Sequence, residues 1–148
     1  MTRKKLSLGF IFAIIYGRPK TGKTVMLGAG FPGAKFITPA GGALSGSHLG
    51  ITLDTMEVTK DVGVQQIADF IQAEGANYPA IIIDDFSLIA DSEVARCQKS
   101  FSGFAAFDEF NKRITSFRDV CRAAQCHVFI IMHEQPPREV KKPGSTRF

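Results

Sequence analysis

Gly17-Arg18-Pro19-Lys20-Thr21-Gly22-Lys23-Thr24 fills every fixed position of the pattern G-x-x-x-x-G-K-[ST]. Glycines at this spacing let the backbone curl, so that successive N–H groups point inward at a phosphate chain. A helix beginning at the end of the stretch adds its positive N-terminal end. In such a loop Lys23 reaches the β- and γ-phosphates of a nucleotide and the Thr24 hydroxyl ligates Mg²⁺. Candidate nucleotide contacts are therefore Gly17, Arg18, Pro19, Lys20, Thr21, Gly22, Lys23, Thr24 and Val25. The pattern also occurs by chance, so its flanks decide: a strand must precede it and a helix must follow.

Both flanks comply. Leu8 to Tyr16 is a run of mostly β-branched and aromatic residues without charge, the composition of a strand buried on both faces in a parallel α/β sheet. Lys23 to Ala29 suits a short helix that Gly30 and Pro32 stop. Further on, Ala80-Ile81-Ile82-Ile83-Asp84-Asp85 reads as a second buried strand whose C-terminal end carries an acid into the ligand crevice. An aspartate there holds the Mg²⁺ shell, which makes Asp84 the metal partner of Thr24. Asp85 is the candidate that polarises an attacking water. The alternative is that Asp85 stands behind the site and Glu57, at the end of a further strand, acts as the base.

The remaining chain fits the same plan. Ala34 to Thr38 reads as a short strand ended by Pro39, and Ala40 to Gly50 as a small-residue loop of a mobile kind, in which His48 alone makes no ligand set. A short strand is expected around Met56-Glu57-Val58. Asp61 or Thr59 then caps a helix with Val64, Ile67, Ala68 and Ile71 at helical spacing, stopped by Gly75. Ser87 to Ser102 reads as a broken helical segment. The longest helix is expected near Ala105 to Ala124, its stripe Phe107, Phe110, Ile114, Phe117 and Cys121 forming core against the sheet. Arg96, Arg113, Arg118 and Arg122 read mostly as solvated-face residues, one of which could reach a neighbour's nucleotide. Cys126 to Met132 is another buried strand, and His133 at its end can orient phosphate and water if this strand lies between those of the loop and Asp84.

Length and composition bound the rest. The 148 residues suit one domain, read as a core over residues 1–137 with a basic, loosely ordered tail over 138–148. A net charge of +4 permits a polyanionic partner without requiring one. Cys97, Cys121 and Cys126 show no metal-ligand spacing and leave an odd count, which suits a reduced, cytoplasmic setting. Arg3-Lys4-Lys5 before an apolar run imitates an export signal, but cleavage there would remove the strand that presents the loop. No apolar stretch approaches the ~20 residues of a membrane span.

Taken together, YGRPKTGKT (Tyr16 to Thr24), IIIDDFSLI (Ile81 to Ile89) and FIIMHE (Phe129 to Glu134) resemble the P-loop NTPases of the RecA-like/AAA-type division. They are similar in particular to small phage-encoded RecA-like ATPases of single-strand annealing and recombination. The resemblance implies a three-layer αβα fold with a mainly parallel sheet, the His133 strand inserted between the loop and Asp84 strands. It also implies ATP and Mg²⁺ as ligands, ATP hydrolysis, homo-oligomers and often DNA as partner. Asp85 departs from the glutamate usual at its position. Relatives also continue with a strand flanking the loop strand, so the first strand here is expected either at an exposed edge or covered by further sequence or a second subunit. A small-molecule kinase and a nucleotide-binding assembly protein with little hydrolysis are the competing readings.

Overall fold

The computed structural model describes residues 9–40, 50 and 52–135. The expected loop from Ala40 to Gly50, with His48, and the tail over 138–148 fall largely or wholly outside them. Along the chain come β1 (Phe12–Gly17), α1 (Lys23–Gly30), β2 (Lys35–Pro39), β3 (Asp54–Val58), α2 (Val64–Glu74) with a 3-10 turn (Gly75–Asn77), β4 (Ala80–Ile83), α3 (Phe86–Ser100), α4 (Phe104–Ala123) and β5 (His127–His133). The five strands form one sheet in the order β1-β5-β4-β2-β3, and every pairing is parallel. The strand bearing His133 therefore does lie between the loop strand and the Asp84 strand.

Alternation along each strand divides the core into two layers. Phe36, Ala80, Ile82, Phe129 and Ile131 pack with Leu27 of α1 on one face. Ile37, Ile81, Ile83, Val128 and Ile130 pack on the other face, with Ile67 and Ile71 of α2, Phe86 and Ile89 of α3, and Phe117 and Cys121 of α4. The result is a three-layer αβα fold, with one helix on the face that carries the phosphate-loop pattern and three on the opposite face. In a parallel sheet all C-terminal strand ends emerge along one edge, which is where Gly17, Thr38, Glu57, Asp84 and His133 are found.

Several sequence expectations need correction. By composition β1 reads as buried on both faces, yet it lies at the sheet edge, the first of the alternatives that the resemblance raised, and Ile14 and Tyr16 are exposed there, Tyr16 to 64%. Length and apolar character cannot tell an edge strand from a central one. The segment after Asp85 is an unbroken 15-residue helix, not a broken one. Only Phe117 and Cys121 of the α4 stripe are buried, while Phe107 is exposed and Phe104, just before it, is 88% exposed. α4 is 20 residues long, about 30 Å, against strands of four to seven residues, so its first turns extend past the layer they pack on. Gly63, not Asp61 or Thr59, caps α2, and its N–H donates to Gln66 Oε1 at 2.5 Å.

Arg96 and Arg113 are likewise not solvated-face residues. Both hold Glu93, which is 2% exposed. Arg96 Nη2 meets Glu93 Oε2 at 2.7 Å and Arg113 Nη1 meets Glu93 Oε1 at 2.8 Å. Glu93 Oε2 also accepts from Val64 N, the first residue of α2, at 3.1 Å, placing a negative charge at a helix N-terminus. Arg96 donates in addition to the carbonyls of Lys60 and Val62. One carboxylate thus ties α2, α3, α4 and the β3–α2 connection together. Burial opposes its charge, but the bonds from Arg113, Arg96 and Val64 outweigh burial and hold the Glu93 carboxyl below its ordinary range.

A group held below its unfolded value stabilises the fold above that value and loses the contribution as pH falls through the folded one. Glu93→Gln is therefore expected to lower stability at pH 7 by about 2–4 kcal/mol, because it strips a buried ion network of its anion. Urea unfolding should show this as a lower midpoint at unchanged slope, with the gap to wild type narrowing below the ordinary carboxylate range. A gap that stays constant down to pH 3 would remove the ionic explanation.

Candidate nucleotide and metal site

The loop between β1 and α1 is tight. Gly22, the N-cap of α1, has φ 84°, a left-handed conformation that favours glycine, and Thr21 Oγ1 donates to Arg18 O at 2.9 Å. Lys23 is 8% exposed. Its ammonium donates to Gly17 O at 3.1 Å, Arg18 O at 2.6 Å and Thr21 Oγ1 at 3.2 Å. None of these acceptors is charged, so a buried cation lies inside a backbone curl at the start of a helix. An anion is the natural complement of that arrangement.

Sheet register sets the acid. Asp84 follows the last residue of β4 and shares the α1 face with Ile82. Its carboxylate Oδ2 accepts a short hydrogen bond from Thr24 Oγ1, across 60 positions of sequence. Burial pushes the Asp84 carboxyl above its ordinary range. The Thr24 bond and the charges of His133 and Lys23 offset that only in part, and Asp85 adds to it. A carboxylate whose charge is this poorly compensated gains from a cation. Among the described residues no three His, Cys, Asp or Glu side chains cluster as an all-protein metal site. The donors fit Mg²⁺ nonetheless: it takes oxygen ligands, keeps several waters, and is commonly held by one or two carboxylates together with substrate phosphates. Thr24 and Asp84 would hold it here.

His133 sits on the same face. Its Nε2 is 3.8 Å from Asp84 Oδ1 and 3.6 Å from Asp85 Oδ2, so the three strand-end residues come together. Asp85 has a further role that was not foreseen: it is the N-cap of α3, with Oδ1 accepting from Ser87 N at 2.8 Å. One oxygen is committed to the helix and the other faces His133. Ser87, also unforeseen, accepts the His133 N–H on its Oγ at 3.2 Å. β4 ends at Ile83, so that N–H has no strand partner and the hydroxyl replaces one. Nothing in the sequence separates such a serine from the many that begin helices.

Glu57 is placed differently. Asp84 N donates to Ile37 O at 2.9 Å, which sets Asp84 level with Thr38, and Thr38 pairs with Glu57. Asp84, Thr38 and Glu57 thus form one row over three adjacent strands. Glu57 is exposed and stands two strand spacings from Asp84, about 10 Å. Of the two candidate bases Asp85 is the one gathered with Asp84 and His133. Arg18, at the loop, pairs with Glu134 at 3.6 Å. The three cysteines are buried and free; burial, with Cys126 beside it, pushes Cys121 up to about 12. Among the described residues no helix is long and apolar enough to cross a membrane. A scan against protein-family models finds no match, and neither does a search of curated proteins.

The cap role of Asp85 can be separated from any chemical role. Asparagine caps as well as aspartate, whereas alanine does not. Asp85→Asn is expected to unfold within about 0.5 kcal/mol of wild type, and Asp85→Ala to lose about 1 kcal/mol, both read from urea midpoints. Equal loss in the two variants would contradict the cap.

Proposed function

We propose that this chain binds ATP with Mg²⁺ and hydrolyses it. The observation that carries the reading is the meeting of Thr24 and Asp84 beside the buried Lys23, whose hydrogen-bond acceptors are all neutral. A hydroxyl at a helix start, a carboxylate at a neighbouring strand end and a cation inside a backbone loop are the protein's share of a phosphoryl-transfer site. Mg²⁺, when bound, would neutralise charge developing on the phosphates. The loop N–H groups and Lys23 bind and orient the phosphate chain. Asp85 Oδ2 is the acceptor for a proton of the attacking water, and His133, between the two aspartates, orients the phosphate and that water. The second oxygen of Asp85 is engaged in capping α3, which favours slow turnover and keeps a nucleotide-binding assembly role as the second reading.

The resemblance extends the proposal to DNA processing: recombination, replication or genome packaging in a phage-type system, inside the host cell. A net charge of +4 is compatible with a nucleic-acid partner. The exposed residues Phe10, Ile11, Ile14 and Tyr16 on and just before the edge strand β1 support a homo-oligomer.

Steady-state phosphate release with and without single-stranded DNA tests the whole reading. Magnesium-dependent release that DNA stimulates is the expected result. Binding without turnover selects the assembly role, and transfer to a small acceptor selects a kinase. Lys23→Ala should keep the fold and lose nucleotide binding; undiminished turnover in that variant would end the proposal. Asp85→Asn should bind MgATP as wild type does and hydrolyse it about 10²–10⁴-fold more slowly. If Glu57→Gln shows that loss instead, the base is Glu57.

A further inference from the structure

Among the described residues, two buried side-chain polar atoms lack a hydrogen-bond partner: Thr38 Oγ1 and His133 Nδ1. They belong to β2 and β5, the two strands that flank β4. His133 already has a place beside the aspartates. Thr38 does not, and its position is unusual. It is 3% exposed, shares the α1 face with Phe36, and stands level with Asp84 on the adjacent strand. On its other side in the row is Glu57.

Burying a hydroxyl without a partner is destabilising, and valine would occupy the same space on a strand without that cost. A threonine kept at such a point is accounted for when its partner arrives with a ligand. The neighbours say which ligand. Strands lie about 4.8 Å apart, so the Thr38 backbone is one strand spacing from that of Asp84, whose carboxylate would hold Mg²⁺. That ion keeps several waters when it is bound through few protein oxygens, and those waters need acceptors. Asp84 has one oxygen on Thr24 and the other facing His133.

We infer that Thr38 Oγ1 is a positioning residue for the divalent cation, accepting a hydrogen bond from a water in the shell of the ion held by Thr24 and Asp84. The inference rests on the nucleotide reading of the site. Held by the strand at that level, the hydroxyl fixes the orientation of that water without touching the phosphates. Its contribution lies in metal affinity and not in nucleotide affinity as such.

The test uses Thr38→Val and Thr38→Ser in the full chain, with ADP and Mn²⁺ as the probe, the bound Mn²⁺ being counted by electron paramagnetic resonance. Thr38→Val is expected to melt at or a few degrees above wild type without ligand, because it deletes an unpartnered polar atom. It should bind ADP in EDTA within about twofold of wild type, and its ADP complex should bind Mn²⁺ about tenfold more weakly, as for other outer-shell partners of metals. Thr38→Ser should restore Mn²⁺ affinity. Wild-type Mn²⁺ affinity in Thr38→Val, failure of serine to restore it, or a lower melting temperature of ligand-free Thr38→Val would each overturn the inference. Wild-type protein whose ADP complex takes up no Mn²⁺ would instead overturn the nucleotide reading beneath it.

Discussion

Insertion of β5 between β1 and β4 is the constraint on which the site depends. It holds the end of the loop strand and the end of the Asp84 strand two spacings apart, about 10 Å. At this separation Thr24, the second residue of α1, meets Asp84. The inserted strand then delivers His133 into the gap between them. Parallel pairing does the rest, because it brings every C-terminal strand end to the same edge and alternation turns the same residues toward α1.

The two faces of the sheet divide the labour. On the three-helix face the one buried carboxylate among the described residues, Glu93, is engaged by two arginines and a backbone N–H. On the α1 face the polar groups are poorly satisfied: Lys23 has only neutral acceptors, Asp84 is pushed up by burial, and Thr38 and His133 keep unpartnered atoms. Stabilising contacts placed away from the site let the site hold groups that a ligand would satisfy. Natural proteins commonly breach local rules at functional positions and offset the cost elsewhere.

The plan of this fold was legible where local chemistry is strong. The Gly17–Thr24 pattern, the apolar runs before Asp84 and His133, and the α2 periodicity each became the element that their residues imply. Legibility failed where the answer depends on which element lies next to which. Nothing local marks β1 as an edge strand, and nothing in the α4 stripe says where the packed layer beneath it ends. Arg96 and Arg113 read as surface charges because their partner, Glu93, lies on a helix of weak apolar pattern and becomes buried only when three helices converge. Thr38 is the clearest case. A threonine before a proline looks like a strand end, and only the parallel register with β4 sets it beside Asp84.

The central claim is that these strand ends form one phosphate-and-cation site. A crystal structure of the chain with Mg²⁺ and a non-hydrolysable ATP analogue tests it most directly. The account predicts Lys23 Nζ drawn from the carbonyls of Gly17 and Arg18 onto phosphate oxygens, with the cation bound through Thr24 and Asp84. Nucleotide bound away from the Gly17–Thr24 loop, or a Lys23 that keeps its present carbonyl contacts with nucleotide bound, would contradict it.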